Sequence, residues 1–310
     1  MGDEFGGQFE EHRRHLFGVA YRMLGSRSEA EDAVQETWLR YAAARPEPAD
    51  LRAWLTTVTG RICLDVLRSA RVRRETYVGQ WLPEPIVARL PSGGPDPADE
   101  AARNEQVSLA LLVVLERLTP EQRVAFVLHD VFAVPFESIA ATLDTTPAAA
   151  RQLATRARRT LAAPDAPRHT ADLAEQRRVL SAFVAAAGRG DLDGLVRILA
   201  PDVVVAGDGG GRAPANRNPI VGAVQASRFL LGLFRQVDRF SVAHAELVLV
   251  NGDLGLLIDG VDPARGPGLV VMALSVADGK ITGVYNQLNP DKLDRVPRPD
   301  PETTTWPPRV

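Results

Sequence analysis

Between residues 136 and 161 the spacing of apolar side chains leaves the chain little freedom. Phe136, Ile139, Ala140 and Leu143 fall at i, i+3, i+4 and i+7, which places them on one side of a helix. Asp144-Thr145 then makes a tight turn, and Thr146-Pro147 supplies the N-cap and first residue of a second helix, where proline's missing N–H costs nothing. Two short helices joined this closely form a helix-turn-helix. The second turns Ala150, Leu153, Ala154, Ala157 and Leu161 inward and leaves Arg151, Gln152, Thr155, Arg156, Arg158 and Arg159 outside. A structural helical hairpin has no use for so many arginines on one face, whereas DNA does: guanidinium and amide groups reach both phosphates and base edges. Thr119-Pro120-Glu121-Gln122 caps the helix before this pair.

The arginines matter because the whole chain is not basic. Its formal net charge is −3 and its pI about 6.0, so contact with nucleic acid has to come from local clustering. A second cluster lies in the first 77 residues, which read as helix throughout. Ser28-Glu29-Ala30-Glu31 has the spacing of a capping box. Ala30, Val34, Trp38 and Tyr41 then face inward and leave Glu31, Asp32, Gln35 and Glu36 as an acidic, amide-bearing face, a pattern that also serves as a merely solvated surface. The next helix starts at Asp50 and buries Leu51, Leu55, Val58 and Ile62. Its end carries Arg61, Arg68, Arg71, Arg73 and Arg74, more cations than a helix C-terminus calls for and enough to neutralise several phosphates.

Pro83, Pro85, Pro91, Gly93, Gly94, Pro95 and Pro97 break any regular element after this point and mark a linker. A second helical block covers about 109–161, and a polar joint over 164–172 leads into a segment of different character. Helices are predicted over 175–187, 192–199 and 221–237. Asn251-Gly252 and Asp278-Gly279 then sit between apolar runs at 247–250, 254–258, 269–276 and 281–285, the signature of type I′ hairpins. That part is α+β. The one cysteine, Cys63, forms no internal disulfide and no Cys-based metal site. The start, Met1-Gly2-Asp3-Glu4, is acidic, and no apolar run has membrane-spanning length, so a cytoplasmic protein without cofactor or metal is expected.

The run Ser28-Glu29-Ala30-Glu31-Asp32-Ala33-Val34-Gln35-Glu36-Thr37-Trp38 resembles the polymerase-binding helix, region 2.2, of extracytoplasmic-function sigma factors. Ala53-Trp54-Leu55 through Asp65 and Arg68 resembles their −10 element helix, and Leu118-Thr119-Pro120-Glu121-Gln122-Arg123 through Arg159 resembles region 4. Many relatives carry Asn where this chain has Arg61. Trp81-Leu82-Pro83-Glu84-Pro85, Asp208-Gly209-Gly210-Gly211-Arg212 and Asn289-Pro290-Asp291-Lys292-Leu293 resemble the subgroup with a fused C-terminal SnoaL-like domain.

The resemblance implies a multidomain chain of two all-α sigma modules and a C-terminal α+β cone. Region 2 would cover 1–77, a linker 78–108, region 4 109–165, the regulatory cone 173–293 and a flexible tail 294–310. It implies that Asp32, Gln35 and Glu36 dock on the clamp helices of the largest subunit of core RNA polymerase. Arg61, Asp65, Arg68 and Arg71 would hold the −10 element of promoter DNA. Arg151, Gln152, Thr155, Arg156, Arg158 and Arg159 would hold the −35 element. The three further motifs would carry control in cis, with Leu293 exposed and docking on the stiff surface of Trp81, Pro83 and Pro85. No separate anti-sigma factor and no membrane partner are then expected, and a small ligand of the cone is left open.

Two other readings compete at this point. A ligand-responsive helix-turn-helix regulator accounts for the second and third segments but gives the first module no role. An enzyme would use the cone, where His244 is the one histidine and Asp208, Asp253 and Asp259 are the carboxylates nearest strands. Gly209-Gly210-Gly211 lacks the Lys-Ser/Thr that a phosphate-binding loop needs after it.

Overall fold

The computed structural model describes residues 2–90, 107–162, 171–235, 242–260 and 268–299. Pro91, Gly93, Gly94, Pro95 and Pro97, and the joint up to residue 170, fall outside these. The chain forms two compact units, Met1–Thr76 with Val114–Ala166, and Tyr77–Val113 with Pro167–Val310. The stretch expected to be a linker therefore belongs to the second unit.

The first unit is helical. Its opening helices are α1 (Gly2–Leu24), α2 (Arg27–Ala44) and α3 (Leu51–Glu75). Phe9, Trp38, Tyr41 and Trp54 form the aromatic centre between them, with Phe9 and Trp38 rings 5.1 Å apart and Tyr41 and Trp54 6.0 Å apart. Tilted ring pairs of this kind add about 1 kcal/mol each to the area they bury. The cap of α2 differs from the expectation. Ser26, not Ser28, is the N-cap, its hydroxyl accepting from Glu29 N at 3.3 Å. Two Ser-x-x-Glu spacings overlap here, and Gly25 decides between them. At φ 66 it ends α1 and leaves Ser26 as the first residue in extended conformation. Glu31, the glutamate of the competing spacing, pairs with Arg27 instead at 3.1 Å.

A short helix α4 (Leu109–Leu115) carries the chain across the division between the units. Then come α5 (Pro120–Phe126), a π turn (Val127–Val131), α6 (Phe136–Leu143) and α7 (Pro147–Leu161). The capping box at Thr119 and Gln122 closes in both directions. Asp144 takes the left-handed conformation after α6, and Thr146 caps α7 by accepting from Ala149 N, so the helix-turn-helix stands as its spacing predicts.

The second unit has a seven-stranded mixed sheet among its described residues, ordered β1-β4-β5-β6-β7-β2-β3. Strands β4 (Val242–Val250), β5 (Asp253–Gly260), β6 (Leu269–Ala277) and β7 (Lys280–Gln287) form an antiparallel meander through the two predicted hairpins. Asn251 and Asp278 hold φ 54 and 53, as type I′ turns require. Strand β2 (Leu199–Asp208) joins β7 in parallel, and the two-residue β3 (Ile220–Val221) closes that edge. Helices α8 (Leu173–Gly188), α9 (Leu192–Ile198) and α10 (Ala223–Phe234) cover one face, where Phe183, Leu195, Leu230, Leu256 and Val205 are fully buried. Helix α10 starts after the predicted Val221 because Gly222, at φ 97, breaks the chain direction there. The far edge is β1 (Val87–Arg89), three residues of the expected linker paired antiparallel with Val248–Val250.

Candidate functional site

The sequence marks three faces for macromolecules and one set of motifs for control. On α2, Asp32 and Gln35 are exposed and Glu36 is partly so, tied to Arg40 at 2.9 Å. Leu39, which the sequence reading did not single out, continues the same stripe at i+7 from Asp32 and is an apolar group 53% exposed.

Of the −10 candidates on α3, Arg61, Asp65 and Arg68 are exposed, and the two arginines are partly engaged. Arg61 donates to the Ala141 carbonyl at the end of α6 at 2.7 Å, and Arg68 pairs with Glu121 of α5 at 3.1 Å. Asp65 is exposed. Arg71 lies on α3, but its side chain is outside the described residues, as are those of Arg73 and Arg74. Between Arg61 and the core, Gly60 lets the second helical group approach. A Cβ there would stand 3.2 Å from Thr142 and 3.3 Å from Leu128. Arg123, 3% exposed, seals the same contact by donating to the Met23 carbonyl at 3.0 Å while pairing with Glu116 at 2.6 Å. His15 meets the Phe132 ring edge-on at 5.2 Å. The Thr56 hydroxyl donates to the Arg52 carbonyl and so accepts from the Nε2–H of His15 at 3.0 Å, which leaves Nδ1 to accept from Arg52 at 3.1 Å. Burial first, then Arg52, lowers the imidazole to about 4.

On α7, the second helix of the helix-turn-helix, Arg151, Gln152, Arg156, Arg158 and Arg159 are all exposed. They are not equivalent. Arg158 is held by Asp130 in a two-pronged pair at 2.6 and 3.1 Å, and Arg151 lies over the Phe136 ring at 5.0 Å, both pre-set in direction. The Thr155 hydroxyl is turned back to the Arg151 carbonyl at 2.9 Å.

The control motifs meet inside the second unit, around one carboxylate. Asp208, 0% exposed at the end of β2, accepts from Tyr77 Oη at 2.6 Å, Leu82 N at 2.9 Å, Gly210 N at 3.0 Å and Lys292 Nζ at 2.7 Å. Lys292 also donates to the Leu82 carbonyl at 2.6 Å and stands 4.1 Å over the Trp81 ring. Gln287 reaches the Pro83 carbonyl at 3.2 Å, and Asn289 donates to Tyr77 Oη at 2.9 Å. Leu82, Pro83, Glu84 and Pro85 are buried. Burial and the Asp208 charge push the Tyr77 hydroxyl up from its ordinary value. Arg212 and Asp291 pair across the rim at 2.6 Å, and Pro290 opens a single 3-10 turn. Leu293 is 5% exposed rather than the exposed residue expected, because that turn folds it back into the unit.

The glycines of the loop are explained by close approach. Gly210 and Gly211 hold φ 57 and 72; a Cβ on the first would run into the Asn289 side chain, and one on the second would lie 3.1 Å from Val78. The carboxylates weighed for catalysis have other partners: Asp253 takes Gln176 at 3.0 Å and Asp259 takes Arg298 at 2.6 Å. His244 stands across from Asp259 on β4, its Nδ1 buried and unpartnered. Cys63 is buried, and burial raises its thiol, so it is not a reactive group. Two residues were not foreseen: Tyr77, whose phenol joins the cluster, and Asn251, whose amide bonds to Ile86 and Val107. Among the described residues no helix is long and apolar enough to cross a membrane.

Residues 8–73 match Sigma-70 region 2 and residues 108–161 match Sigma-70 region 4. The chain is 46% identical over 293 residues to the ECF RNA polymerase sigma factor SigJ of Mycobacterium tuberculosis, covering 94% of this chain and 93% of that protein. It is 35% identical over 306 residues to the probable ECF sigma factor SigI of the same species, covering 94% and 96%. The crystal structure of SigJ superposes with a TM-score of 0.74 at 43% identity, covering 93% of this chain and 98% of that one.

Proposed function

The chain belongs to the extracytoplasmic-function sigma factors, which direct RNA polymerase to promoters, and from that premise we propose how its residues divide the work. Asp32, Gln35 and Glu36 dock on the clamp helices of the largest polymerase subunit, with Leu39 as the apolar point of the contact. Arg61, Asp65, Arg68 and Arg71 hold the −10 element. Arg151, Gln152 and Arg156 read −35 base edges, since the first part of a recognition helix points into the groove, while Arg158 and Arg159 hold phosphates and Thr155 packs beside them.

The cone controls these modules in cis, through the linker that joins them. One observation carries this reading: the buried Asp208 binds the linker at Tyr77 and Leu82 and the tail at Lys292, so the cone, the linker and the tail share one charge. Exposed ion pairs such as Arg212–Asp291 add little to such a joint, whereas a buried carboxylate with one cation is strongly committed to it. A sigma factor built this way needs no separate anti-sigma protein.

Reporter output and core-polymerase binding of four variants test the proposal: the chain ended before Asn289, the chain ended before Glu175, Asp208→Ala and Arg212→Ala. Ending before Asn289 should raise promoter output by freeing the linker, and ending before Glu175 should lower it if the cone also supports polymerase binding. Four variants indistinguishable from the full chain would leave the cone without a controlling role.

A further inference from the structure

We propose that Phe136, backed by His129, is a positioning residue for −35 readout: it holds Arg151 in the direction from which that arginine reads its base, and sharpens promoter preference through that side chain. The inference rests on the proposed division of reading along α7 and adds two residues to it. Phe136 opens α6 and belongs by spacing to its buried side, yet its side chain is only partly buried. Its ring has another use. The His129 imidazole stacks on it with centroids 3.9 Å apart and 30° between the planes, and the Arg151 guanidinium lies over it 5.0 Å from the centroid. His129 is itself fixed. Its Nδ1 stands 3.1 Å from the Val134 carbonyl, and since a carbonyl only accepts, Nδ1 carries the proton there.

The backbone ahead of α6 supplies both supports. There the helix widens into the π turn, Phe132 N donating to the Val127 carbonyl at 3.3 Å, and Ala133 follows at φ 53. Such turns are rare and recur at functional sites. Two neighbours in this one serve α7: Asp130 holds Arg158 directly, and His129 reaches Arg151 through Phe136. Gln152 and Arg156, which lie between those two arginines in sequence, have no side-chain partner among the described residues and so act as internal controls. An exposed arginine samples many rotamers, and freezing one on binding costs affinity that a preset side chain does not lose. A ring beneath an exposed guanidinium offsets part of that cost, about two- to fivefold. Only the matching base uses the arginine, so the gain falls on that base pair alone.

The test is in vitro transcription by core polymerase with the full chain, on promoters carrying each single base-pair change in the −35 element. Phe136→Leu keeps an apolar side chain and removes the ring, and Phe136→Tyr keeps the ring. His129→Asn keeps a donor for the Val134 carbonyl and removes the stack. Arg151→Ala should relax preference at its own positions by about tenfold, the worth of a two-pronged base contact. Phe136→Leu should relax the same positions by about two- to fivefold, leave the positions that Arg156→Ala relaxes as they were, and add nothing once Arg151→Ala is present. Phe136→Tyr should keep the native preference, and His129→Asn should repeat the Phe136→Leu pattern at lower amplitude. An unchanged preference in Phe136→Leu overturns the proposal, and so does equal weakening at every position, which would make the ring a support of the fold. If circular dichroism shows Phe136→Leu to be unfolded, His129→Asn decides by the same two outcomes. Arg151→Ala without a position-specific effect would instead overturn the division of reading on which this rests.

Discussion

Replacing Lys292 by Met tests the joint at its charge. The side chain is 13% exposed and its Nζ stands 2.7 Å from an Asp208 carboxylate that is 0% exposed. Methionine fills nearly the same volume, so packing against Trp81 survives and the loss is electrostatic. Stranding one member of a buried pair costs about 3–5 kcal/mol. Four donors, Tyr77 Oη, Leu82 N, Gly210 N and, more weakly, Gln287 Nε2, still solvate Asp208, which places this case near the lower end, about 3 kcal/mol. The natural probe is the Leu82 amide, which donates to that carboxylate. Its hydrogen exchange in the full chain should speed up by about 100-fold, since each 1.4 kcal/mol is a factor of ten. Adding Asp208→Asn removes the stranded charge, so the double variant should recover part of the protection. Leu82 exchange unchanged in Lys292→Met, or a double variant whose losses simply add, would refute the reasoning.

Reversing Asp32 and Glu36 to Lys should abolish co-purification with core polymerase and leave the helical circular dichroism unchanged; a wild-type yield of holoenzyme would remove α2 from the docking face. Arg159→Ala should weaken promoter binding alike for all sequences and lower the slope against log salt by about one. Arg151→Ala should relax preference at particular bases, and equal effects from the two would contradict the division along α7. The helical unit should also lose stability in acid through His15. Its folded value, about 4, is below the ordinary 6.5, so the unfolded chain takes up the proton first and stability falls as pH drops from 6.5 to 4. His15 is only half-buried, so solvent screening holds the loss to about 1–2 kcal/mol. His15→Gln, followed by exchange of α1 amides at pH 7 and pH 5, should flatten that dependence; an equal pH response in both proteins would assign it to other groups.

The helices and hairpins were legible because their signals are local. A Thr-Pro at a helix start, an Asp in the left-handed conformation after α6, and Asn-Gly between apolar runs each act within a few residues, and competing signals there are few. Ser26 and Ser28 show where that ends: both have a glutamate three residues on, and the neighbouring Gly25 chose. Charge was legible as type but not as partner. Arg158 stands on the exposed side of α7 with the others, yet Asp130, 28 residues earlier in the chain, fixes its direction. No periodicity reports such a pair.

The control motifs separate two kinds of information. Three glycines in a row announce that something passes close or that φ turns positive, and both hold at Gly210 and Gly211. They do not say what passes, and here it is Asn289 for the first and Val78 for the second. Likewise a lysine after Asn-Pro-Asp reads as a surface charge until β2 and β7 lie in parallel and bring Asp208 opposite Gln287, next to the tail. Parallel pairing joins residues about 80 positions apart in sequence, a separation at which local rules carry no weight. The buried ion pair is thus a product of topology. The linker belongs to the same product, because Leu82 offers its N–H to Asp208 and its carbonyl to Lys292. A segment rich in proline, with few donors of its own, is held by the two backbone groups it has free at that point.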